Sequence, residues 1–327
     1  MKSIEQTWYQ PKSLVTYLLL PLSLLFWAVS TIRRGLFSLG LLKRFTSHTP
    51  IIVVGNISIG GNGKTPFALW LVAFLQAQGF KVAVISRGYG SQAPNYPFEV
   101  TDLSSVAEAG DEPYLLHSRL GCPVVIGPDR EASCNYLKNK YKIDLIVSDD
   151  GLQHYKMQRS VEFCIVDSKR RFGNGCLLPA GPLRELPSRL GNVDLVIENG
   201  GTAPVNYVLQ STGIYSVHTG LKCDDYPKNG VAVSAIGNPQ RFEKSLQEEG
   251  VDIIDTAHFR DHHAYVKSDF SQFSDTAIFM TEKDAVKCQS FAKENWYYLK
   301  VEAQPSKMLV NQLLDILKNK EIHHGLR

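Results

Sequence analysis

Several protein classes are excluded by what the sequence has little of. Its 327 residues contain six cysteines, scattered and without a CxxC pair, which argues against a zinc ribbon or a disulfide framework and indicates reduced thiols. The net charge of +3 is too small to indicate a nucleic-acid partner, and none is expected. The 44% hydrophobic and 20% charged residues are typical of a folded globular chain, long enough here for two domains.

Charge is absent from residues 13–32 (SLVTYLLLPLSLLFWAVSTI), a stretch close to the roughly 20 residues that a membrane-spanning helix needs. A cleaved signal peptide is not expected, because no small-x-small site follows and a nucleotide site outside the cell would have no use. A core-buried helix is an alternative. We favour a membrane-inserted or interfacial helix, spanning or lying flat, because aromatic and cationic residues that suit a bilayer interface accompany it: Trp8, Tyr17, Trp27, Arg33, Arg34, Lys43 and Arg44.

A glycine-rich run, NISIGGNGKTP at 56–66, lies between an apolar strand pattern at 50–57 and a helical pattern at 64–78. A second strand pattern at 81–86 completes the β–loop–α–β context of a phosphate-binding loop. Lys64 would reach the β- and γ-phosphates of a nucleotide, and the Thr65 hydroxyl would bind Mg²⁺. The expected nucleotide-binding residues are Ser58, Ile59, Gly60, Gly61, Asn62, Gly63, Lys64 and Thr65.

One position of this loop departs from the usual pattern. Ser58 stands where the first glycine is normally found, and in this interpretation Gly60, Gly61 and Gly63 keep the loop flexible. The alternative is an ordinary glycine-rich turn between a strand and a helix. The loop indicates nucleotide binding and says nothing about which reaction follows.

Acidic residues follow two other predicted elements. Asp149 and Asp150 end an apolar strand pattern at 141–151, where a group that organises Mg²⁺ lies in such folds, although Asp-Asp-Gly is also good turn chemistry. Asp111 precedes an apolar helical pattern, with Pro113 expected in the first turn. Position alone favours Asp111 as the helix N-cap, and a general base is the alternative.

The second half of the sequence predicts a smaller α/β unit. Residues 170–190 are irregular and rich in arginine, which suits either an anionic substrate or a solvated loop. Residues 200–220 read as turn-rich, and strand and helix patterns alternate beyond them. The histidines of FRDHHAY (259–265) suit a metal, a base or an exposed helix start. The expected divisions are a membrane-associated segment 1–45, a nucleotide domain 46–205, a linker 206–225 and a C-terminal α/β domain 226–327.

Seven motifs cover nearly all of the chain after its apolar start. In chain order they are VGNISIGGNGKTP, SRGYG, GDEP, SDDGLQH, LPAGPLRE, FRDHH and TEKDAVK. Together they resemble the tetraacyldisaccharide 4'-kinase family of lipid A biosynthesis. The resemblance implies a P-loop NTPase-like, mostly parallel sheet with helices on both faces, plus a second, smaller α/β domain. It also implies ATP, Mg²⁺ and an acylated glucosamine disaccharide 1-phosphate as acceptor, converted to lipid IVA at the cytoplasmic face of the inner membrane.

The same resemblance implies roles for individual residues. Asp111 is the expected base, with His262 orienting or charging it, and Lys64 and Arg130 are expected to stabilise phosphate charge. The expected metal residues are Thr65, Glu112, Asp149 and Asp150, and the expected substrate residues are Arg171, Arg184 and His154. TEKDAVK is a candidate for contacting the nucleotide base.

Two other functions fit parts of the sequence. An ATP-dependent ligase acting on a soluble acid would need no lipid and would have no use for the apolar segment. A nucleotide switch at the membrane would hydrolyse ATP slowly without an acceptor. The polar motifs in both predicted halves argue against a switch, which needs mainly mobile loops.

Overall fold

The structure is a computed structural model that describes residues 7–10 and 12–322. One twelve-stranded sheet runs through the described residues. Its strands are β1 (Ile51–Gly55), β2 (Val82–Ser86), β3 (Phe98–Val100), β4 (Val124–Ile126), β5 (Leu145–Asp149), β6 (Val161–Asp167), β7 (Leu195–Asn199), β8 (Asn206–Ser216), β9 (Asn229–Ser234), β10 (Asp252–His258), β11 (Ile278–Thr281) and β12 (Trp296–Pro305).

Eight α-helices accompany the sheet in the same residues. They are α1 (Leu14–Ser38), α2 (Lys64–Ala77), α3 (Val106–Ala109), α4 (Asp111–Leu120), α5 (Arg130–Lys140), α6 (Pro239–Glu248), α7 (Glu282–Cys288) and α8 (Lys307–Asn319). Two 3₁₀ helices, Pro187–Asn192 and Lys267–Phe273, lie in the connections.

The strand order is β10-β9-β11-β12-β8-β7-β6-β1-β5-β2-β4-β3, and only the β3–β4 and β8–β12 pairs are antiparallel. β1 lies between β5 and β6, and its residues are buried on both faces, which explains the unbroken apolar run in the sequence. Side chains of α2, α4 and α8 pack on one face of this half of the sheet, and those of α5 pack on the other. The predicted mostly parallel α/β fold is confirmed.

The stretch expected to be an irregular linker, 206–225, begins instead with the long strand β8. This strand pairs in parallel with β7 and antiparallel with β12, so the sheet continues without a break from one half to the other. The sequence shows only short β-like pieces here, interrupted by Ser, Thr and Gly, and within β8 only Tyr207 and Ile214 are buried. Helix α8, near the C-terminus, packs Leu309 and Leu313 into the core of the first half. The division into domains stays a prediction.

Helix α1 is long and apolar enough to cross a membrane, the one such helix in the described residues. Only 11% of its most apolar window is buried, which excludes the alternative of a core helix. Its buried residues, Thr16, Ser23 and Phe37, recur at spacings of seven and fourteen and therefore form one stripe along the helix. The helix thus lies along the folded body with one face docked and the others exposed.

The centre of α1 is held to the body by Ser23. Its Oγ donates to the carbonyl of Leu177 at 2.8 Å and accepts from the N–H of Ala180 at 3.0 Å, and the side chain is 5% exposed. The indole of Trp8 donates to the Pro179 carbonyl in the same segment. A helix fixed at its midpoint to the body does not project away from it.

We expect Ser23→Ala to destabilise the protein, because the buried N–H of Ala180 would lose its acceptor. The free energy of unfolding in detergent, measured by urea titration, should fall by about 1–2 kcal/mol. Ser30→Ala is the matched control, since the Ser30 hydroxyl donates only within α1, to the Trp27 carbonyl. Equal losses in the two variants would contradict the docking role of Ser23.

Candidate active site

The phosphate-binding loop connects the end of β1 to the start of α2. Gly60 and Gly63 adopt left-handed backbone angles, with φ of 105° and 85°, which side-chain-bearing residues rarely adopt. Ser58 is not among the left-handed positions, so a serine there meets no backbone strain. Its Oγ accepts from Asn62 Nδ2 at 3.1 Å, and its backbone forms a bridge with Leu183. The departure from the usual loop pattern therefore has a local structural reason.

Residues far along the chain support this loop from behind. The Tyr207 hydroxyl donates to the carbonyl of Gly63 at 2.7 Å, and Asn199 Nδ2 donates to the carbonyl of Asn62 at 2.9 Å. A Cβ on Gly63 would lie 2.1 Å from Asn199 Nδ2, so glycine is required there. Arg241, from α6, donates to Asn199 Oδ1 at 2.9 Å. Sequence reasoning did not find these residues; the only available signal was that Asn199 ends a strand.

Lys64 is the first residue of α2, and its ammonium group meets two acceptors. Nζ lies 3.2 Å from Asn56 Oδ1 and 3.3 Å from Asp150 Oδ1. Arg184 Nη1 lies 2.9 Å from both carboxylate oxygens of Asp150. Burial alone would raise the pKa of Asp150, but Lys64 and Arg184 lower it to about 2, so the carboxylate stays ionised. The structure therefore brings the predicted Lys64, Asp150 and Arg184 together.

Asp149 ends β5 beside the start of the loop, because its register partner in β1 is Val54. It is 1% exposed, and its Oδ1 has no hydrogen-bond partner within residues 7–10 and 12–322. Burial, then the charges of Glu112 and Asp150, raise the pKa of Asp149. Arg130 lies beneath it, fully inside the protein, and donates to the Gly127 carbonyl at 2.8 Å.

These residues fit a magnesium ion held jointly with a nucleotide. No group of three or more His, Cys, Asp or Glu side chains in the described chain is arranged to hold a metal by itself. Mg²⁺ at nucleotide sites commonly takes one or two carboxylates and completes its shell with phosphate oxygens and water. The unpartnered oxygen of Asp149 suits that role. Glu112, by contrast, has its Oε1 3.0 Å from Lys283 Nζ, so its role as a ligand stays a prediction.

Asp111 is the first residue of α4, and the N-cap is Gly110, whose φ is 83°. The expectation that Asp111 is the N-cap is therefore wrong by one position. Its Oδ1 instead accepts from the N–H of Glu112 at 2.9 Å. A glycine at the cap supplies the left-handed turn that brings the chain into the helix, which leaves the carboxylate of Asp111 directed at the other half of the protein.

His262 meets Asp111 across the two halves, as the resemblance implied. Its Nδ1 lies 3.0 Å from Oδ1 and 3.0 Å from Oδ2, and Asp111 is 6% exposed. The backbone of His262 is left-handed, with φ of 63°, a conformation that is uncommon outside glycine and that clusters at functional sites. Burial would raise the pKa of Asp111, but the bond to His262 and the charges of Lys283 and Lys287 lower it to about 2.

The lysines of TEKDAVK lie against this pair. Lys283 Nζ is 3.0 Å from Glu112 Oε1, 3.2 Å from Asp261 Oδ1 and 3.7 Å from Asp111 Oδ2. Lys287 Nζ is 3.8 Å from the same Asp111 oxygen. The motif was visible in the sequence, but its contact with α4 was not, because the two segments are separated by about half of the chain.

Two expected substrate residues differ from the expectation in their surroundings. Arg171 pairs with Glu198 at 3.3 Å and is largely exposed, and no contact in the described chain joins it to the loop. Its neighbour Arg170 has Nη1 3.5 Å from where a Cβ on Gly60 would be. The backbone of Arg171 is left-handed, with φ of 41°, and the side chains of Arg170 and Arg171 therefore have different surroundings. His154 is half-buried, and its Nε2 has no hydrogen-bond partner among the residues that the structure describes.

The sequence is similar to known proteins over almost its whole length. A sequence model of the tetraacyldisaccharide-1-P 4'-kinase family matches residues 15–318. A tetraacyldisaccharide 4'-kinase of Pseudoalteromonas translucida is 57% identical over 326 residues, covering 100% of both chains. One from Psychromonas ingrahamii is 48% identical, covering 95% of this chain and 98% of its own. The crystal structure of LpxK from Aquifex aeolicus in complex with ATP has a TM-score of 0.76 at 26% identity, covering 95% of this chain and 100% of that one.

His154 generates a prediction for stability against pH. Burial, then the charges of Arg130 and Arg159, lower its pKa from 6.5 to about 4. The unfolded chain therefore binds a proton first as the pH falls, and stability that is fully present above about 6.5 is lost towards 4. Between these pH values, the free energy of unfolding of wild type should fall by about 1–2 kcal/mol more than that of His154→Gln. This figure allows for the partial exposure of the side chain.

The measurement is urea unfolding of wild type and His154→Gln at several pH values between 4 and 7. The raised pKa of Asp149 acts in the opposite direction over part of this interval, so the difference between the two proteins carries the test. Curves that stay parallel through the interval would contradict a neutral, buried His154.

Proposed function

The chain belongs to the tetraacyldisaccharide-1-P 4'-kinase family, and we propose that it transfers the γ-phosphate of ATP to the 4'-hydroxyl of a tetraacylated disaccharide 1-phosphate, giving lipid IVA in lipid A biosynthesis. The observation that carries the proposal is the Asp111–His262 pair, which draws one partner from each half of the protein. Glu112, the residue after Asp111, is close enough for its charge to raise the pKa of Asp149, whose register partner in β1 is Val54. A base so placed is what a hydroxyl acceptor needs.

The nucleotide is held by the loop between β1 and α2. The N–H groups of Gly61 and Gly63 donate to no oxygen in the described part of the chain, so they are available to phosphate oxygens at the positive end of α2. Lys64 exchanges its contact with Asp150 for the β- and γ-phosphates. Arg184 keeps Asp150 ionised when that exchange occurs, because its guanidinium contacts both carboxylate oxygens.

Thr65, Asp149 and Asp150 would hold Mg²⁺ with the nucleotide, and Glu112 is a further candidate. When bound, the ion neutralises charge on the phosphates during transfer. Asp149 is suited to this position because its buried Oδ1 has no hydrogen-bond partner in the part of the chain that the structure describes. Arg130 supports the strand end below and contributes positive charge, since burial lowers its pKa only to about 10.

Asp111 accepts the proton of the attacking hydroxyl in this proposal. A carboxylate with a pKa near 2 is a weak base, but phosphoryl transfer through a loose transition state needs positioning more than early proton removal. His262 holds the carboxylate by contacting both of its oxygens, and the bond to Asp111 raises the pKa of His262 despite its burial. Lys283 and Lys287 fix the same carboxylate from the other side.

Helix α1 gives the enzyme its place at the membrane in our proposal. Its exposed apolar faces suit the acyl-chain boundary, while Ser23 holds its inner stripe to the body. This arrangement favours a helix that lies in the plane of the cytoplasmic face of the inner membrane over one that spans it. Arg33 lies in the C-terminal part of the helix and Lys43 follows it, and both would meet anionic head groups.

The first prediction for this function concerns transfer itself. Wild type should transfer labelled γ-phosphate to a tetraacylated disaccharide 1-phosphate in mixed micelles, and Lys64→Ala should not. Asp111→Asn should lower kcat by about 100-fold or more while it still binds ATP, because the base and not the nucleotide site is lost. ATP hydrolysis by wild type without any labelled lipid would instead indicate a nucleotide switch, and transfer to a soluble acid would indicate a ligase.

The second prediction separates His262 from its neighbour. His262→Ala should lower kcat by about 10- to 100-fold and leave the KM for ATP nearly unchanged, because His262 acts on the base. His263→Ala is the matched control: its Nε2 contacts Asp269 at 2.9 Å and not Asp111. Equal loss of ATP affinity and turnover in His262→Ala would contradict the pair.

A further inference from the structure

A cavity of about 740 Å³ opens between the C-terminal part of α1 and the body of the protein. The helix faces it with small side chains: Thr31, Gly35 and Ser38 line it at successive turns. A Cβ on Gly35 would meet no atom within 4 Å, so the space beside the helix is open. This cavity is separate from the phosphate-binding loop, and none of the roles described above uses it.

The walls of the cavity carry more positive than negative charge. Its charged lining residues are the cations Arg34, Arg44, Arg159, Arg189 and Lys320 and the anions Glu162 and Asp194. Glu162 is shared by two of the arginines, at 2.7 Å from Arg159 and 2.6 Å from Arg189, and Asp194 pairs with Lys320 at 3.0 Å. Glu185 lies outside the lining and pairs with Arg34 at 3.6 Å and with Arg189 at 3.5 Å. Five cations against these three anions leave an excess of positive charge.

Arg44 is the cation of this group that has no counter-ion. It makes no ion pair with a carboxylate of the described chain, whereas Arg34 lies 3.6 Å from Glu185. The neighbouring positive charges affect the pKa of Arg159. Burial lowers this pKa, the charge of Glu162 raises it, and the charges of Arg189 and Arg44 lower it further. Like charges held this close are stabilised when an anion enters between them.

A chain of polar contacts joins the cavity to the nucleotide loop. Arg34 lies 3.6 Å from Glu185, and Glu185 Oε1 accepts from Gln153 Nε2 at 2.8 Å. Gln153 Oε1 in turn accepts from Arg184 at 3.2 Å. Arg184 then contacts Asp150, the partner of Lys64. A short row of side chains thus separates the cavity from the point where the γ-phosphate would be held.

We propose that this cavity binds the phosphate that the acceptor carries at position 1. The inference rests on the proposed function. The family's substrate bears a phosphate at position 1 and receives another at position 4', and these positions lie at opposite ends of the disaccharide. The protein therefore needs a second phosphate-binding site, displaced from the first along the acceptor and close to the bilayer. The cationic cavity beside the anchoring helix meets both requirements, and guanidinium groups suit a phosphate monoester.

The test compares two acceptors, the tetraacylated disaccharide with and without its 1-phosphate, in micelles of zwitterionic detergent. Arg44→Ala should raise the KM for the phosphorylated acceptor about tenfold and leave the KM for the other acceptor and for ATP unchanged. Lys138→Ala is the matched control, because it removes one positive charge from an exposed position of α5 that does not line the cavity. It should behave as wild type.

A steric variant tests the cavity without altering charge. Gly35→Leu places a side chain into the open space, and the helical backbone at this position accepts it without strain. We expect the same selective rise in KM for the phosphorylated acceptor, with an unchanged unfolding midpoint in urea. Unchanged kinetics with both acceptors would overturn the proposal.

Other outcomes would also decide the matter. An equal rise in KM for the two acceptors in Arg44→Ala would overturn the assignment of the 1-phosphate. A different result for Arg44→Ala would be normal kinetics in micelles with loss of binding to phosphatidylglycerol vesicles, while binding to phosphatidylcholine vesicles is kept. That result would overturn the proposal and assign the cavity to bilayer head groups. A wild type that labels neither acceptor would overturn the proposed function, and the cavity assignment with it.

Discussion

Four buried or half-buried carboxylates meet at the centre of this protein, and the need to compensate them shapes much of what surrounds them. Asp111, Glu112, Asp149 and Asp150 come from the ends of α4 and β5. Ionised groups are costly to bury unless opposite charges or hydrogen bonds accompany them. Asp149 has the least compensation of the four, since its Oδ1 has no hydrogen-bond partner within the described residues, and it is also the group whose environment best suits a metal ion.

The compensating cations come from both halves of the chain. Lys64 and Arg184 belong to the first half, and Lys283, Lys287 and His262 belong to the second, so the same charges that make the site also hold the halves together. The continuous sheet through β8 and β12 fixes the relative position of the two halves in the middle. Separation of the halves at the site would leave the carboxylate of Asp111 without its partners, so the charge balance of this proposed base depends on the contact between the halves.

Sequence reasoning found the parts of this site that depend on local patterns. The loop at Lys64 and the acidic strand end at Asp149 follow from strand, glycine and helix signals within a few residues, and the structure has both elements where they were predicted. The interaction of α7 with α4 could not be found this way, because charge pairs between distant segments produce no periodic pattern in the sequence.

Two details of the site depend on single backbone torsions. Arg170 and Arg171 are equivalent as residue types, and only the left-handed turn at Arg171 decides which of them is near the loop. Likewise, the left-handed Gly110 takes the N-cap position and moves Asp111 one place into the helix. The 206–225 stretch, expected to be a linker, has a different cause: β8 is stabilised by pairing with β7 and β12, so tertiary context outweighs its weak local propensity.

The segment between residues 177 and 184 joins helix α1 to the loop between β1 and α2. Ser23 of α1 holds its beginning, and a few residues later the Pro182 carbonyl accepts from the N–H of Ile59 at 2.8 Å. The phosphate loop therefore stands at a fixed height above the face of α1 that would contact lipid. A substrate anchored by its acyl chains also has a fixed height relative to the bilayer. The enzyme can therefore align the sugar hydroxyl with the γ-phosphate before transfer, so that little further entropy is lost in the transfer step.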